Sequence, residues 1–315
     1  MASFKRIVQK TWLAVFLVMS VVFIFAYFKD DRDKIARILD ADLRLLGLAA
    51  IAQAAYFLAT IVTWQKALLY SSGKTVALRE SLSQILMVNF GKYIPGKVWG
   101  MAARGKRLAE AGYKLEEITR ASYLEQVLLL LTGFALGFLA AALVFANPLY
   151  WFGFAVAVAG IVLFRYDDRI IGKIAQVIPP VSRLLPYFEA RIGGVEVLKL
   201  TVGYLLVWLF LSCAFMFVCR SVISVELTFT TGLVFLLSLT AGFLAGFLAL
   251  FAPGGAGVRE GVGAAFLTAI VSLEEAVLLM LLFRVWVVAA ELLAGAVVLV
   301  LPGSRKVSGG TAKNG

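Results

Sequence analysis

Apolar residues in this chain come in runs about as long as a membrane is thick. Six such runs cover roughly 11–28, 44–65, 120–146, 149–165, 198–219 and 276–300. Each is close to the ~20 residues a helix needs to cross a hydrocarbon core. Only Asn147-Pro148 separates the third run from the fourth, which predicts a tight turn there. Two further apolar stretches, about 80–104 and 228–272, are interrupted by a Pro-Gly pair. The pattern predicts an all-α integral membrane fold, with about six transmembrane helices and two re-entrant helical hairpins at the interruptions.

The two interruptions are related. Lys92-Tyr93-Ile94-Pro95-Gly96-Lys97-Val98-Trp99 is the first, and Pro253-Gly254-Gly255-Ala256-Gly257-Val258-Arg259-Glu260 the second. Pro95 and Pro253 stand 158 residues apart, and the same offset carries Leu115-Glu116-Glu117 onto Leu273-Glu274-Glu275. Matching breaks in two halves predict an inverted repeat, the architecture of many transporters. Repeat 1 spans about 11–146 and repeat 2 about 149–302, within one polytopic domain over 1–302. The polar, Gly-rich tail at 303–315 is expected to be disordered. A chance recurrence of Pro-Gly in an apolar chain is the competing explanation.

Composition agrees with a membrane protein: 62% of residues are hydrophobic and 16% charged. No polar stretch is long enough for a soluble catalytic domain, and no small-x-small cleavage site follows the first run. The net charge of +11 lies in segments flanking the spans. Basic clusters at the N-terminus, after the first break, in the middle loop and in the tail predict a cytoplasmic (inner) membrane location with both termini cytoplasmic. With that topology the first hairpin enters from the cytoplasm and the second from outside. The middle loop, around Pro179-Pro180 and Pro186, could lie along the inner surface as an amphipathic segment. Basic residues placed this way suit anionic lipid and argue against nucleic acid.

The chain has no histidine, which removes the usual proton shuttle and the commonest metal ligand. Cys213 and Cys219 are six apart, about 600° around a helix, and read as packing residues. No metal site and no cofactor is predicted. Glycine pairs at Gly133/Gly137 and Gly242/Gly246 have the spacing of close helix-packing faces. Trp64, Tyr93 and Trp99 read as interfacial aromatics.

Charges inside apolar segments cost roughly 2.5–3.5 kcal/mol each at a helix centre and therefore face partners or water. Candidates at the breaks are Lys92, Lys97, Arg104, Arg259 and Glu260; Glu125, Arg284 and Glu291 lie within spans. Arg284 and Glu291 share a helix face but are about 10 Å apart along it, so each needs another partner. Glu125 with Arg284 is one pairing. Two interpretations stay open. In one, these charges pair to fix helix packing. In the other, Lys97, Arg104, Arg259 and Arg284 hold an anionic headgroup, with backbone amides at Gly96, Gly254, Gly255 and Gly257 adding donors. Glu125, Glu260 and Glu291 then balance charge, and Glu125 and Glu291 could take part in ion coupling.

The segment Asn89–Trp99 followed by Arg104 resembles the first motif of the lysylphosphatidylglycerol synthase transmembrane-region family, the flippase-like domain family. Pro253–Glu260 resembles its second, more specific motif. The resemblance covers about 10–300. It implies a lipid-translocating membrane region, with substrate contacts from Lys92, Tyr93, Pro95, Gly96, Lys97, Trp99 and Arg104 and from Pro253, Gly254, Gly255, Gly257, Arg259, Glu260 and Arg284. Family members that make aminoacyl lipids carry a soluble synthase domain after this region. This chain ends at Gly315 without one, so no enzymatic activity is expected. In the commoner first motif Gly-Glu follows; here Trp99-Gly100 stands there, with no acid to carry over.

The expected activity is translocation of an anionic phospholipid or a polyprenyl-phosphate-linked glycolipid, for envelope lipid or surface-polysaccharide assembly. The alternative is a non-transporting membrane partner that presents a lipid-linked substrate to a glycosyltransferase or synthase.

Overall fold

A computed structural model describes residues 40–93, 98–166, 192–249 and 252–300. The described residues form α-helices with short 3-10 turns. They are α1 (Leu43–Ser72), α2 (Leu78–Gly91), α3 (Trp99–Glu110), α4 (Leu115–Phe145), α5 (Pro148–Leu163), α6 (Gly194–Val222), α7 (Phe229–Leu248), α8 (Val258–Leu267) and α9 (Leu273–Val300). The expected span at 11–28, the tail at 303–315 and most of the middle loop lie outside the described residues.

The helix ends follow local chemistry. Asp42 caps α1 by accepting from the Arg44 N–H at 2.8 Å. Gly73, at φ 70°, closes α1 in the left-handed conformation that glycine tolerates best. The Asn147-Pro148 turn forms as expected: the Asn147 side chain accepts from the Leu149 N–H at 2.9 Å, and Pro148 occupies the first turn of α5, where no amide is needed. Glu117 and Glu275 reach back to the backbone N–H groups of Lys114 and Ser272, at 2.9 and 3.2 Å. The two Leu-Glu-Glu sequences are thus matched helix starts.

The order of elements repeats. A long helix, a helical arm, a break, a second arm and a long helix occur as α1–α4 and again as α6–α9. The leading helices of the two halves, α1 and α6, pack antiparallel. The Asp42 N–H donates to the Ser221 carbonyl at 2.9 Å, placing the start of α1 at the end of α6. Farther along, Gly203 gives the Thr63 side chain room to approach the α6 backbone. This pair is a shared spine. The first half of α1 joins a core cluster built mainly from α6, α7, α8 and α9, including Phe215, Phe235 and Phe283. Its second half joins another cluster with α2, α3 and α4, including Trp64, Leu108 and Leu128.

Each broken segment folds back on itself. A Cβ at Gly100 of α3 would lie 2.5 Å from the Met87 carbonyl oxygen of α2. A Cβ at Gly242 of α7 would lie 2.7 Å from the Arg259 carbonyl oxygen of α8, and one at Gly255 would lie 2.8 Å from Gly246 Cα. The arms of each hairpin therefore touch backbone to backbone, which only glycine permits. Gly133 and Gly137 of α4 instead make room for side chains, those of Trp208 of α6 and Thr240 of α7.

Among the described residues five helices, α1, α4, α6, α7 and α9, are long and apolar enough to cross a membrane. Large side chains such as Phe152 on α5 and Leu293 on α9 are more than half exposed, as surfaces facing lipid tails would be. Two expectations change. The 149–165 run forms α5, a helix of 16 residues and shorter than a typical span. The first arm of the second hairpin, α7, has 20 residues and is span-length by itself, about 30 Å at 1.5 Å per residue.

Gly242→Leu should disrupt the second hairpin, because its side chain meets backbone that cannot move aside. A loss of about 1–3 kcal/mol is expected, read as a lowered melting temperature in detergent. Gly47→Leu, where nothing lies within 4 Å of the added Cβ, should melt like the unaltered protein.

Candidate functional site

The two breaks meet. Lys92 follows the last turn of α2, and its carbonyl accepts from the Gly254 N–H at 2.8 Å. Gly254 lies in the 3-10 turn Pro253–Gly255 and takes φ 61°; Gly255 and Gly257 take φ 71° and 80°. These left-handed values explain the glycines: a side chain would strain the backbone at each. At Gly254 a side chain would also meet Tyr93, whose Cδ1 would lie 2.9 Å from the added Cβ.

Charged side chains surround this junction. The Lys92 ammonium donates to Glu291 at 2.6 Å and stands 5.0 Å from the centre of the Tyr93 ring. The Tyr93 hydroxyl donates to the other Glu291 oxygen at 3.3 Å. Arg284 of α9 is paired through Nη1 with Glu260 of α8 and donates through Nη2 to the Gly254 carbonyl at 3.4 Å. Glu260 also accepts from the Gly257 N–H at 2.7 Å, capping its own helix. A continuous polar chain thus runs from Glu291 through Lys92 and Gly254 to Arg284, Glu260 and Gly257. Arg259, beside Glu260, faces the ring of Phe243 at 5.4 Å. It lies within electrostatic reach of Glu260, Arg284, Tyr93 and Glu291 but forms no ion pair among the described residues.

Arg104 and Glu125 form a separate pair. Arg104 is fully buried, donates to Glu125 at 2.5 Å and to Ser122 at 3.1 Å, and stacks over Trp64 at 3.8 Å. Trp64 donates to Gln84 at 2.8 Å, Gln84 to Glu80 at 3.1 Å, and Arg107 grips Glu80 with two bonds of 2.6 Å. This network ties α1, α2, α3 and α4 together inside the first half.

Several expected placements change. Glu125 pairs with Arg104 and Arg284 with Glu260, so the suggested Glu125–Arg284 pair does not form. Lys92, Arg104 and Arg284 are each already held by a carboxylate. The amides of Gly254, Gly255 and Gly257 donate to Lys92, Ala252 and Glu260, so in this structure they are not open to a ligand. Trp64 and Tyr93, taken from sequence as interfacial, are buried. Trp99 is 45% exposed at the start of α3, in keeping with an interfacial role. Pro95, Gly96 and Lys97 lie outside the described residues. Pro253 sits in the turn whose glycines face the first break. Tyr56 of α1, missed from sequence, lies within electrostatic reach of Lys92, Glu291 and Arg259. Nothing in its local sequence marks it, because only the folding that docks α1 on α6 brings it there. Among the described residues no group of three or more Cys, Asp or Glu is placed to hold a metal ion.

A buried charge left without its partner costs about 3–5 kcal/mol, whereas a neutral isosteric pair is far cheaper. Glu125→Gln should therefore destabilise the protein more than Arg104→Gln/Glu125→Gln together. Detergent melting of the two single variants and the double variant would show this as a positive coupling.

All-helical architecture, span-length apolar helices and buried ion pairs at paired backbone breaks define a multi-pass membrane protein. The family model described as the lysylphosphatidylglycerol synthase TM region matches residues 11–295, and the chain belongs to that family. No curated protein matches the chain.

Proposed function

We propose that this protein translocates an anionic lipid across the cytoplasmic membrane, binding its headgroup where the two breaks meet. The observation that carries this is the charge balance there. Lys92 pairs with Glu291 and Arg284 with Glu260, whereas Arg259 forms no ion pair among the described residues and sits in a largely buried setting. An unbalanced charge at such depth is costly unless a ligand of opposite sign completes it. Arg259, without an ion-pair partner among the described residues and in the first turn of α8, is the residue to meet a phosphate.

In this reading the headgroup moves through the junction while acyl or prenyl chains stay in lipid. Rocking of one repeat against the other exposes the junction to each side in turn. Membership of the family supports a flippase-like role. A phospholipid or a polyprenyl-phosphate glycolipid both offer the required phosphate, and a glycosyltransferase is a fitting neighbour for the second. The assignment of a non-enzymatic role rests on the absence of histidine and of any nucleophile–base set in the sequence. The distribution of lysine and arginine supports an inner-membrane protein with both termini cytoplasmic.

Arg259→Gln should fold and insert normally yet lose the anionic lipid that copurifies with the unaltered protein, by mass spectrometry, and lose lipid scrambling in proteoliposomes. Equal lipid on both proteins would defeat the headgroup site. Retained lipid binding without any transport by the unaltered protein would favour a lipid-presenting partner instead.

Topology gives an independent check. Ser272→Cys, in the turn before α9, should react with an impermeant thiol reagent added from outside intact cells. Labelling exclusively from the cytoplasmic side would overturn the proposed orientation.

A further inference from the structure

Among the described residues three ion pairs with a buried carboxylate involve the two hairpins, and they differ in what they join. Arg104–Glu125 links α3 to α4, inside the first repeat. Arg284–Glu260 links α8 to α9, inside the second. The two pairs occupy matching places, the second hairpin arm and the long helix after it, with the signs exchanged. Lys92–Glu291 instead joins the first break to α9, across the two repeats.

Any relative movement of the repeats can carry the first two pairs along intact. The same movement must break the third. Lys92 carries a second contact across the repeats, because its carbonyl accepts from the Gly254 N–H. One residue therefore ties the two halves together through both side chain and backbone.

The surroundings of Glu291 show what it stands in for. Its carboxylate is 3% exposed and takes hydrogen bonds from an ammonium and a phenol, Lys92 and Tyr93. A phosphate oxygen would be held by the same donors. The Lys92 side chain is 29% exposed, so it can be approached while Glu291 cannot.

We propose that Glu291 is an internal competitor for the anionic headgroup, holding Lys92 when no lipid is bound. A headgroup arriving at Arg259 takes Lys92 from Glu291, and this exchange releases the side-chain tie between the first break and α9. Arg259, which forms no ion pair among the described residues before the headgroup arrives, offers that headgroup a cation without breaking a second pair. An empty site stays closed because Lys92 and Glu291 satisfy each other, and a loaded site is free to move. Movement is thereby coupled to occupancy through the differential contacts that the two states make. This inference rests on the headgroup reading above and assigns Glu291 a positioning role within it.

The test uses the full-length protein with phosphatidylcholine vesicles containing phosphatidylglycerol. It measures retained phosphatidylglycerol together with hydrogen exchange at Gly254, whose amide reports the contact between the breaks. Phosphatidylglycerol should speed exchange at Gly254 in the unaltered protein, whereas vesicles of phosphatidylcholine alone should not. Glu291→Gln should exchange faster there even without lipid and retain about tenfold more phosphatidylglycerol, since removing a competing state raises apparent affinity. Lys92→Gln/Glu291→Gln, a neutral pair of similar shape, should fold but lose that gain.

Retention by Glu291→Gln no greater than that of the unaltered protein would overturn the competition. So would Gly254 protection indifferent to phosphatidylglycerol in the unaltered protein, a result that needs no variant to fold. If Arg259→Gln loses lipid while Glu291→Gln behaves normally, the competition fails and the headgroup site stands. If Arg259→Gln keeps its lipid, the headgroup site itself fails.

Discussion

A helix broken inside apolar surroundings must find new partners for the amides and carbonyls it frees, because lipid offers none. In this protein the second break is completed largely by what lies across from it. The Gly254 N–H goes to Lys92 of the first break, and the Gly254 carbonyl receives Arg284 from α9. Gly257 is capped by Glu260, whose own charge is met by Arg284. The second break is stable only while the first stands beside it, and α9 serves both. The antiparallel α1–α6 spine, the glycine-lined hairpins and the long helices that follow them bring these two irregular segments face to face.

The same constraint accounts for where the charges went. Arg104 and Glu125 neutralise each other over Trp64 and fasten the first hairpin to α1 and α4. Arg284 and Glu260 fasten the second hairpin to α9. Such pairs gain little net stability against a well-packed apolar core, but losing one member is expensive, so they specify a geometry more than they strengthen it. Lys92–Glu291 is built from the same chemistry in a different place, across the repeats. Position alone puts two of the pairs inside a repeat and the third across the two repeats.

Glycine has two distinct roles here. At Gly100, Gly242 and Gly246 it lets hairpin arms touch backbone to backbone. At Gly254, Gly255 and Gly257 it allows left-handed turns within a few residues. The first role is visible in sequence at Gly242 and Gly246, from their spacing. Gly100 carries no such signature, because its partner, α2, lies on the other side of a break whose direction is known only once the chain is folded.

Much of the frame was legible from hydrophobic pattern and spacing. The long apolar runs, the Asn147-Pro148 turn, the two Leu-Glu-Glu helix starts and the matched Pro-Gly breaks follow from rules that act over a few residues: segment length against membrane thickness, proline without a donor, acids at the positive end of a helix. Which carboxylate meets which cation was not legible. Glu125 and Glu260 were equally available to Arg284 by sequence, and Trp64 had the look of a surface aromatic. Those choices depend on helices that are neighbours in space and not in sequence, since a buried charge takes the partner that packing brings within hydrogen-bond reach. The sequence by itself determined that this is a membrane protein broken at two corresponding places. Only the tertiary structure decided through which amides and ion pairs the breaks meet, because the desolvation that forces buried charges and amides to pair acts on the packed molecule.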